Sequence, residues 1–209
     1  NLMENELSRV YQRSIDAETV VTNALAGVSL TNDFPTSSVG QQLYGVMRMI
    51  LASRALGHRR QVYFVYASGF DLHGNLQAAQ SARLAELNAA IQSFCTSLQA
   101  KGIWNQTTMF TASDFGRALQ SNGKGSDHGW GSHHFVMGGA VKGKHVYGNW
   151  PTVALRTAED AGQGRLIPTT AIDQYSATLA SWFGVSNTDL PYVSPNIGNF
   201  ASRNLGFLA

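Results

Sequence analysis

The chain has 209 residues, of which 44% are hydrophobic and 13% charged, and its formal net charge is +2. This length suffices for one domain with a sizeable core, and the small charge argues against nucleic acid as a partner. No apolar run approaches the roughly 18 residues that a membrane-spanning helix needs. The single cysteine, Cys95, excludes an internal disulfide. We therefore expect residues 1–209 to form a single α/β domain without a membrane span.

Two helices are predicted in the first quarter of the chain. Residues 2–26 have a loose apolar face that ends at Gly27, and residues 39–56 have a clearer one with Leu43, Met47 and Ile50 at helical spacing. Residues 31–35 have the composition of a turn. The hydroxyl cluster at residues 36–38 is interpreted as the cap of the second helix.

A strand–helix–strand unit is predicted next. Residues 62–67 (VYFVYA) form a β-favouring apolar run typical of a strand buried on both faces. A long helix with a regular apolar stripe follows and ends near Gly102, and a second strand-like run occupies residues 107–112. This order indicates a parallel crossover unit. The predicted fold class is α/β, with a mostly parallel sheet sandwiched between helices.

Residues that can bind a metal follow both predicted strands. Carboxylate oxygen and neutral imidazole nitrogen are ligands that zinc, manganese and iron(II) accept, and ligands in open α/β sheets gather beyond the carboxyl ends of strands. The sequence therefore predicts a site for one or two divalent ions. The candidate ligands are Asp71, His73, Asp114, Asp127, His128, His133 and His134.

The same residues have simpler interpretations. Asp71 and Asp114 are also suited to turns or helix caps. Because side chains alternate between the two faces of a strand, only one of His133 and His134 is expected to point into the site, and we favour His134. Arg117 follows a strand-end turn and is placed to contact an anionic oxygen; a surface ion pair is the alternative.

The last third of the chain has fewer sequence patterns that predict secondary structure. Residues 141–148 suggest a short hairpin, and residues 170–183 predict a helix with Thr170 and Asp173 as a capping box and Gly184 at its end. The remaining tail is rich in turn residues and is expected to wrap around the domain.

Several segments together resemble a known family. In chain order they read FVYASGFDLHGN, TASDFGR, SDHGWGSHHFVMGGAVKG and DQYSATLASWFGV, with SPNIGNF in the tail. They are similar to the bacterial DUF1501 family, which is grouped with the alkaline phosphatase and sulfatase superfamily. The similarity extends from about residue 39 onward. It implies an alkaline phosphatase-like α/β sandwich with a metal site at the strand ends, and export to the periplasm or beyond.

The superfamily resemblance also implies a reaction. Its hydrolases use two divalent metals to cleave phosphate or sulfate esters, so a small anionic ester is the implied substrate. Asp71 and His73 resemble one ligand group, although one residue separates them where the superfamily has three. Phe115 stands where the superfamily's Asp-His-Gly turn has its histidine, and His128 is placed to supply that imidazole.

The nucleophile of such hydrolases follows a first strand near the amino end, and no counterpart precedes residue 62. We therefore expect this chain to be the carboxyl-terminal portion of a longer protein. A competing hypothesis is a non-catalytic binding or scaffold protein that retains the fold. A third is a metal-free network of hydrogen-bonded His and Asp side chains.

Overall fold

A computed structural model describes residues 1–30 and 33–209. Thr31 and Asn32, which begin the predicted turn at residues 31–35, lie outside the described residues. Single turns of 3-10 helix cover Trp104–Gln106 and Ile197–Asn199. The regular elements in chain order are α1 (Leu2–Ala26), α2 (Ser38–Ala52), α3 (Leu76–Ala100), β1 (Thr108–Phe110), β2 (Gly116–Ser121), β3 (Ser126–Gly129), β4 (Val136–Gly138), α4 (Ile172–Phe183) and α5 (Leu190–Val193).

The described residues form two compact units. The first consists of Asn1–Ser68 with Leu84–Ala100, and the second of Gly69–Arg83 with Lys101–Ala209. α3 contributes residues to both units. Among the described helices, none combines the length and the apolar character required to cross a membrane.

The first unit is helical, and its buried side chains lie on α2 and α3. Ser37 caps α2, and its Oγ accepts a hydrogen bond from the Gly40 N–H at 3.3 Å. Met47 on α2 and Phe94 and Leu98 on α3 are buried. The apolar spacing that predicted these two helices therefore corresponds to their buried faces.

α1 occupies the predicted residues 2–26 but buries none of its side chains. Asn1 caps it, because Asn1 Oδ1 accepts a hydrogen bond from the Met3 N–H at 3.0 Å. Leu7 and Tyr11 on its apolar face are exposed. Helices gain most of their stability from packing, and α1 contributes no buried side chain to it.

The predicted strand at residues 62–67 is an extended segment without a strand partner, so that prediction was wrong. Among the described residues, the main-chain groups of residues 62–65 have no hydrogen-bond partner. Gln42 pairs with the next residue instead: its side-chain amide accepts from the Tyr66 N–H and donates to the Tyr66 C=O, both at 2.9 Å. A β-favouring run becomes a strand only where a second strand completes the ladder.

The predicted fold class was also wrong. The described residues contain two antiparallel two-stranded sheets, β1–β4 and β2–β3, and no large parallel sheet sandwiched between helices. The predicted crossover placed residues 62–67 and β1 in one parallel sheet, whereas β1 pairs antiparallel with β4, with Thr108 opposite Gly138. β2 and β3 form an antiparallel hairpin that was not predicted from the sequence. The alkaline phosphatase-like sandwich is thus absent from the described residues.

The second unit has a small core at its carboxyl end. Ala177 of α4, Leu190 of α5 and Ile197 are fully buried and form one cluster. α4 starts two residues later than predicted. Gln174 Oε1 accepts a hydrogen bond from the Ala171 N–H at 3.2 Å, which replaces the predicted capping box.

The tail of the chain forms the partner of residue 141. Val141 pairs with Leu208 in an isolated antiparallel bridge, and the Lys142 N–H donates to the Phe207 C=O at 2.9 Å. The predicted hairpin at residues 141–148 is therefore replaced by pairing with the terminal residues.

Candidate metal centre

The β2–β3 hairpin carries the candidate site. Arg117 and His128 face each other in its ladder, and directly opposite residues project from the same face of a sheet. Asn122 closes the hairpin, because its Oδ1 accepts hydrogen bonds from the N–H groups of Lys124 at 3.1 Å and Gly125 at 2.8 Å. A side-chain amide that caps its own turn is a common use of asparagine.

The loop before α3 lies against this hairpin and brings two more side chains to it. A side chain at position 125 would place its Cβ 2.8 Å from the carbonyl carbon of His73, so Gly125 permits the close approach of the two backbones. Asn122 Nδ2 donates to the His73 C=O at 3.1 Å. These contacts fix Asp71 and His73 beside His128, which follows more than fifty residues later.

Three potential ligand atoms converge at this point. His128 Nε2 lies 2.9 Å from Asp71 Oδ1, His73 Nε2 lies 3.0 Å from the same oxygen, and the two Nε2 atoms are 3.0 Å apart. We call Asp71, His73 and His128 the triad. Among the described residues it is the one group of His, Cys, Asp and Glu side chains close enough to share an ion. Its side chains are 59%, 51% and 46% exposed, so the triad is open to solvent.

The size of the triad matches that of a metal site. An octahedral ion with bonds of about 2.1 Å places adjacent ligand atoms about 3.0 Å apart. A tetrahedral ion with similar bonds places them about 3.4 Å apart. The triad therefore corresponds to one face of an octahedron, and two imidazoles with one carboxylate is a ligand set found in open metal sites.

Hydrogen bonds alone leave one edge of the triad unfavourable. His73 Nδ1 lies 3.2 Å from Asp127 Oδ1; an ionised carboxylate only accepts, so Nδ1 carries the hydrogen. In the neutral imidazole, His73 Nε2 then presents a lone pair to the Asp71 oxygen. Two lone pairs at 3.0 Å repel, and a positive charge removes this repulsion. A cation bound among the three atoms would supply that charge, and a hydrogen on His128 Nε2, which lies 2.9 Å from Asp71 Oδ1 and 3.0 Å from His73 Nε2, is the metal-free way to satisfy the same atoms.

Asp127 lies outside the triad and contacts the far side of His73. Hydrogen bonding from Asn122 at 3.0 Å, and next from His73, lowers the pKa of Asp127 below its usual value. The ionised carboxylate thus fixes the ring and the tautomer of His73. Carboxylates hold metal-binding histidines in this way. The sequence predicts Asp127 as a metal ligand, whereas in the structure its carboxylate contacts the ring of His73 and lies outside the triad.

Arg117 joins the loop to the hairpin. Its Nη1 donates to the Ser126 C=O at 2.7 Å, and its Nη2 donates to the Phe70 C=O at 2.7 Å and to Asp71 Oδ1 at 3.1 Å. Hydrogen bonding to His128, and then to Arg117, lowers the pKa of Asp71, which favours its ionised form. The side chain predicted to contact an anion is therefore engaged with the main chain and with Asp71.

The family model described as "Protein of unknown function (DUF1501)" matches residues 11–180. The chain belongs to the DUF1501 family. No curated protein and no solved structure is significantly similar to it. All three triad residues lie within the matched region, so the candidate site belongs to the DUF1501 portion of the chain.

Three of the predicted ligands of this DUF1501 chain lie away from the triad. Asp114 is exposed in the loop between β1 and β2. His133 packs against Phe135, with ring centroids 5.6 Å apart. His134 stacks on Tyr175 at 5.7 Å. The structure therefore brings together the ligands on the hairpin and its facing loop and separates them from these three residues.

His134 and Tyr175 are half-buried, and their burial affects their titration. Burial, and then the charge of His133, lowers the pKa of His134. Burial raises the pKa of Tyr175 to about 12, and its hydroxyl donates to the Thr111 C=O at 3.1 Å. Both side chains are therefore neutral near pH 7 and join β1 to α4.

Two residues of the site were not predicted from the sequence. The Phe115 ring stacks on the His128 ring at a centroid distance of 3.7 Å and an angle of 10°, and Asn122 contacts both His73 and Asp127. For Phe115, the available sequence signal was its position where the superfamily's Asp-His-Gly turn has a histidine. The Asn-Gly pair at residue 122 was also visible as a hairpin turn signal.

Proposed function

We propose that this chain binds one divalent first-row metal, such as zinc, manganese or iron(II), through Asp71, His73 and His128. The observation that carries the proposal is the triangle of two Nε2 atoms and one carboxylate oxygen with edges of 2.9 and 3.0 Å. A divalent ion fits the size of this triangle and neutralises its repulsive edge. One ion is proposed because the remaining predicted ligands lie elsewhere.

We further propose that the reaction is hydrolysis of small phosphate or sulfate esters. Asp71, His73 and His128 would hold the divalent ion, which would supply Lewis-acid assistance to the attack of water on the ester. The chain's part is to hold the three ligands, with Asp127 orienting His73 and Arg117 holding Asp71. The open triad leaves room for a small anionic group to approach. We also propose that the chain is related to phosphatases and sulfatases and that it is exported. Both proposals rest on the sequence motifs that resemble this superfamily and not on the fold.

Metal content tests the binding step. Protein purified without a histidine tag is expected to contain, or to take up from added Zn²⁺, about one equivalent of metal. His128→Ala is expected to lose it, whereas the matched variant His145→Ala, which changes an exposed histidine far along the chain, is expected to keep it. Equal metal content in the two variants would refute the triad as the site.

Hydrolysis is tested separately, with aryl phosphates and aryl sulfates as substrates. The metal-loaded wild-type chain is expected to release the aryl alcohol, and both His128→Ala and chelation are expected to abolish this release. Activity that survives in His128→Ala would contradict the assignment. Metal binding without turnover of either ester class would leave the binding step intact and remove the hydrolase step.

The engagement of Arg117 favours a second candidate, a metal-binding protein without catalysis. With Nη1 and Nη2 hydrogen-bonded to carbonyl groups, this guanidinium is not free to hold a substrate anion. The two candidates differ in ester turnover by the loaded chain. The metal-free network differs from both, because it predicts no uptake of metal.

A further inference from the structure

We propose that Asn122 is a positioning residue for the metal ligand His73, and that it acts from the turn of the β2–β3 hairpin. The inference rests on the proposed metal site. It assigns a role to a residue whose amide contacts the Asp127 carboxylate and the main chain of His73 rather than the three converging atoms of the triad.

The amide group of Asn122 makes four hydrogen bonds, which divide between the turn and the site. Its Oδ1 accepts the N–H groups of Lys124 and Gly125. Its Nδ2 donates to the His73 C=O at 3.1 Å and to Asp127 Oδ1 at 3.0 Å. The oxygen therefore shapes the turn, and the nitrogen reaches the site.

The two bonds from Nδ2 fix His73 at both of its ends. One holds the main chain of His73 against the hairpin. The other holds the Asp127 oxygen that accepts the hydrogen of His73 Nδ1 at 3.2 Å. With the carbonyl and Nδ1 both restrained, the ring has little freedom to turn, and Nε2 stays directed toward Asp71 and His128.

Residues that orient a metal ligand typically change metal affinity by about 10- to 100-fold when they are mutated. Asn122→Ser retains an oxygen that can accept the turn N–H groups but removes the donor to His73 and Asp127. We expect it to weaken Zn²⁺ binding by about 10-fold or more. We also expect it to change the visible absorption spectrum of the Co²⁺-loaded chain, because that spectrum reports ligand geometry.

Ser121 provides the matched control. Its Oγ accepts the Gly123 N–H at 3.0 Å and donates to the Gly125 C=O at 3.1 Å, within the same turn, and it contacts neither His73 nor Asp127. Ser121→Ala therefore loosens the turn alone. We expect its Zn²⁺ affinity to stay within about threefold of the wild type and its Co²⁺ spectrum to be unchanged.

The experiment is a competition titration of the full chain with Zn²⁺ and a chromophoric chelator, with circular dichroism to establish folding. If Asn122→Ser does not fold, Asn122→Asp replaces it, because it keeps the turn acceptor at full reach and substitutes an acceptor for the donor. Wild-type affinity in the Asn122 variant, or an equal loss in Ser121→Ala, would overturn the positioning role while leaving the metal site standing. Failure of the wild type to bind Zn²⁺ would instead overturn the proposed function, and this inference with it.

Discussion

Arg117 illustrates how one side chain connects segments that are distant in sequence. Only 23% of its side chain is exposed, and its guanidinium donates to two carbonyl groups and to Asp71. The planar, forked geometry of arginine permits such simultaneous contacts, whereas a lysine ammonium is a compact donor on a flexible stem. A lysine at position 117 would therefore keep the positive charge but lose part of the hydrogen bonding.

The first prediction concerns Arg117→Lys. We expect the free energy of unfolding to fall by about 1–3 kcal/mol, because at least one partly buried carbonyl loses its hydrogen bond while the charge is kept. Urea denaturation at neutral pH measures this change. If Arg117 contacts the substrate anion instead, as the sequence suggested, Lys would raise the KM for the ester and leave the urea midpoint unchanged.

The second prediction concerns His134, whose pKa burial lowers. The unfolded chain protonates this side chain near pH 6.5, whereas the folded chain does so only at lower pH. Between these values the unfolded state binds more protons, so stability falls as the pH decreases through about 6.5. We expect the free energy of unfolding to be lower at pH 5.5 than at pH 7.5.

Replacement of His134 isolates its contribution to this pH dependence. In the presence of chelator, His134→Gln is expected to show a smaller stability difference between pH 7.5 and 5.5 than the wild type. His58→Gln, in the first unit, is expected to show the full wild-type difference. The same pH dependence in all three chains would show that His134 is not responsible.

At the scale of elements, apolar spacing predicted the helices better than the strands. α1 has the predicted bounds because capping and spacing are local properties. Strands depend on partners that the sequence does not specify. β1 was correctly placed within residues 107–112 but was paired in the wrong sense, and residues 62–67 formed no ladder. The β2–β3 hairpin was not predicted, although its turn contains the Asn122-Gly123 pair.

The third prediction concerns residues 62–67, whose main-chain groups at residues 62–65 have no hydrogen-bond partner among the described residues. Val62, Phe64 and Tyr66 are 75%, 88% and 62% exposed, and exposed apolar strands with free main-chain groups promote association. We expect Phe64→Lys to slow aggregation, because charge opposes edge-to-edge pairing. Stability should change little, since surface substitutions usually alter it by less than about 0.5 kcal/mol.

Light scattering at a fixed protein concentration measures this effect. Tyr192→Lys is the matched control, since Tyr192 is 87% exposed but lies in the short helix α5. It adds the same charge without changing residues 62–67. Equal slowing by both variants would show that net charge, rather than residues 62–67, controls aggregation.

At the scale of the whole molecule, the sequence predicted which residue types form the site better than it predicted which individual residues lie there. Asp71, His73 and His128 were all among the candidates, and the structure brings them together across more than fifty residues. His133 and His134 were included because they are near His128 in sequence. The chain leaves the hairpin after Gly129, and the Gly131 N–H bonds to the Leu166 C=O. His133 and His134 therefore lie away from the triad although they are near His128 in the sequence.

The last prediction uses the whole chain to decide between a metal and a proton at the triad. A ligand that binds only the folded state stabilises it by about 2.7 kcal/mol at 100 times its dissociation constant. For a chain of this length that corresponds to an increase in Tm of about 5–10 °C. We expect added Zn²⁺ to raise the Tm of the wild type, chelator to reverse the rise, and His128→Ala to abolish it. In the metal-free network, hydrogen bonds among His73, His128 and Asp71 satisfy the triad without an ion. That hypothesis predicts the same Tm with and without Zn²⁺, so one pair of thermal scans separates it from the metal centre.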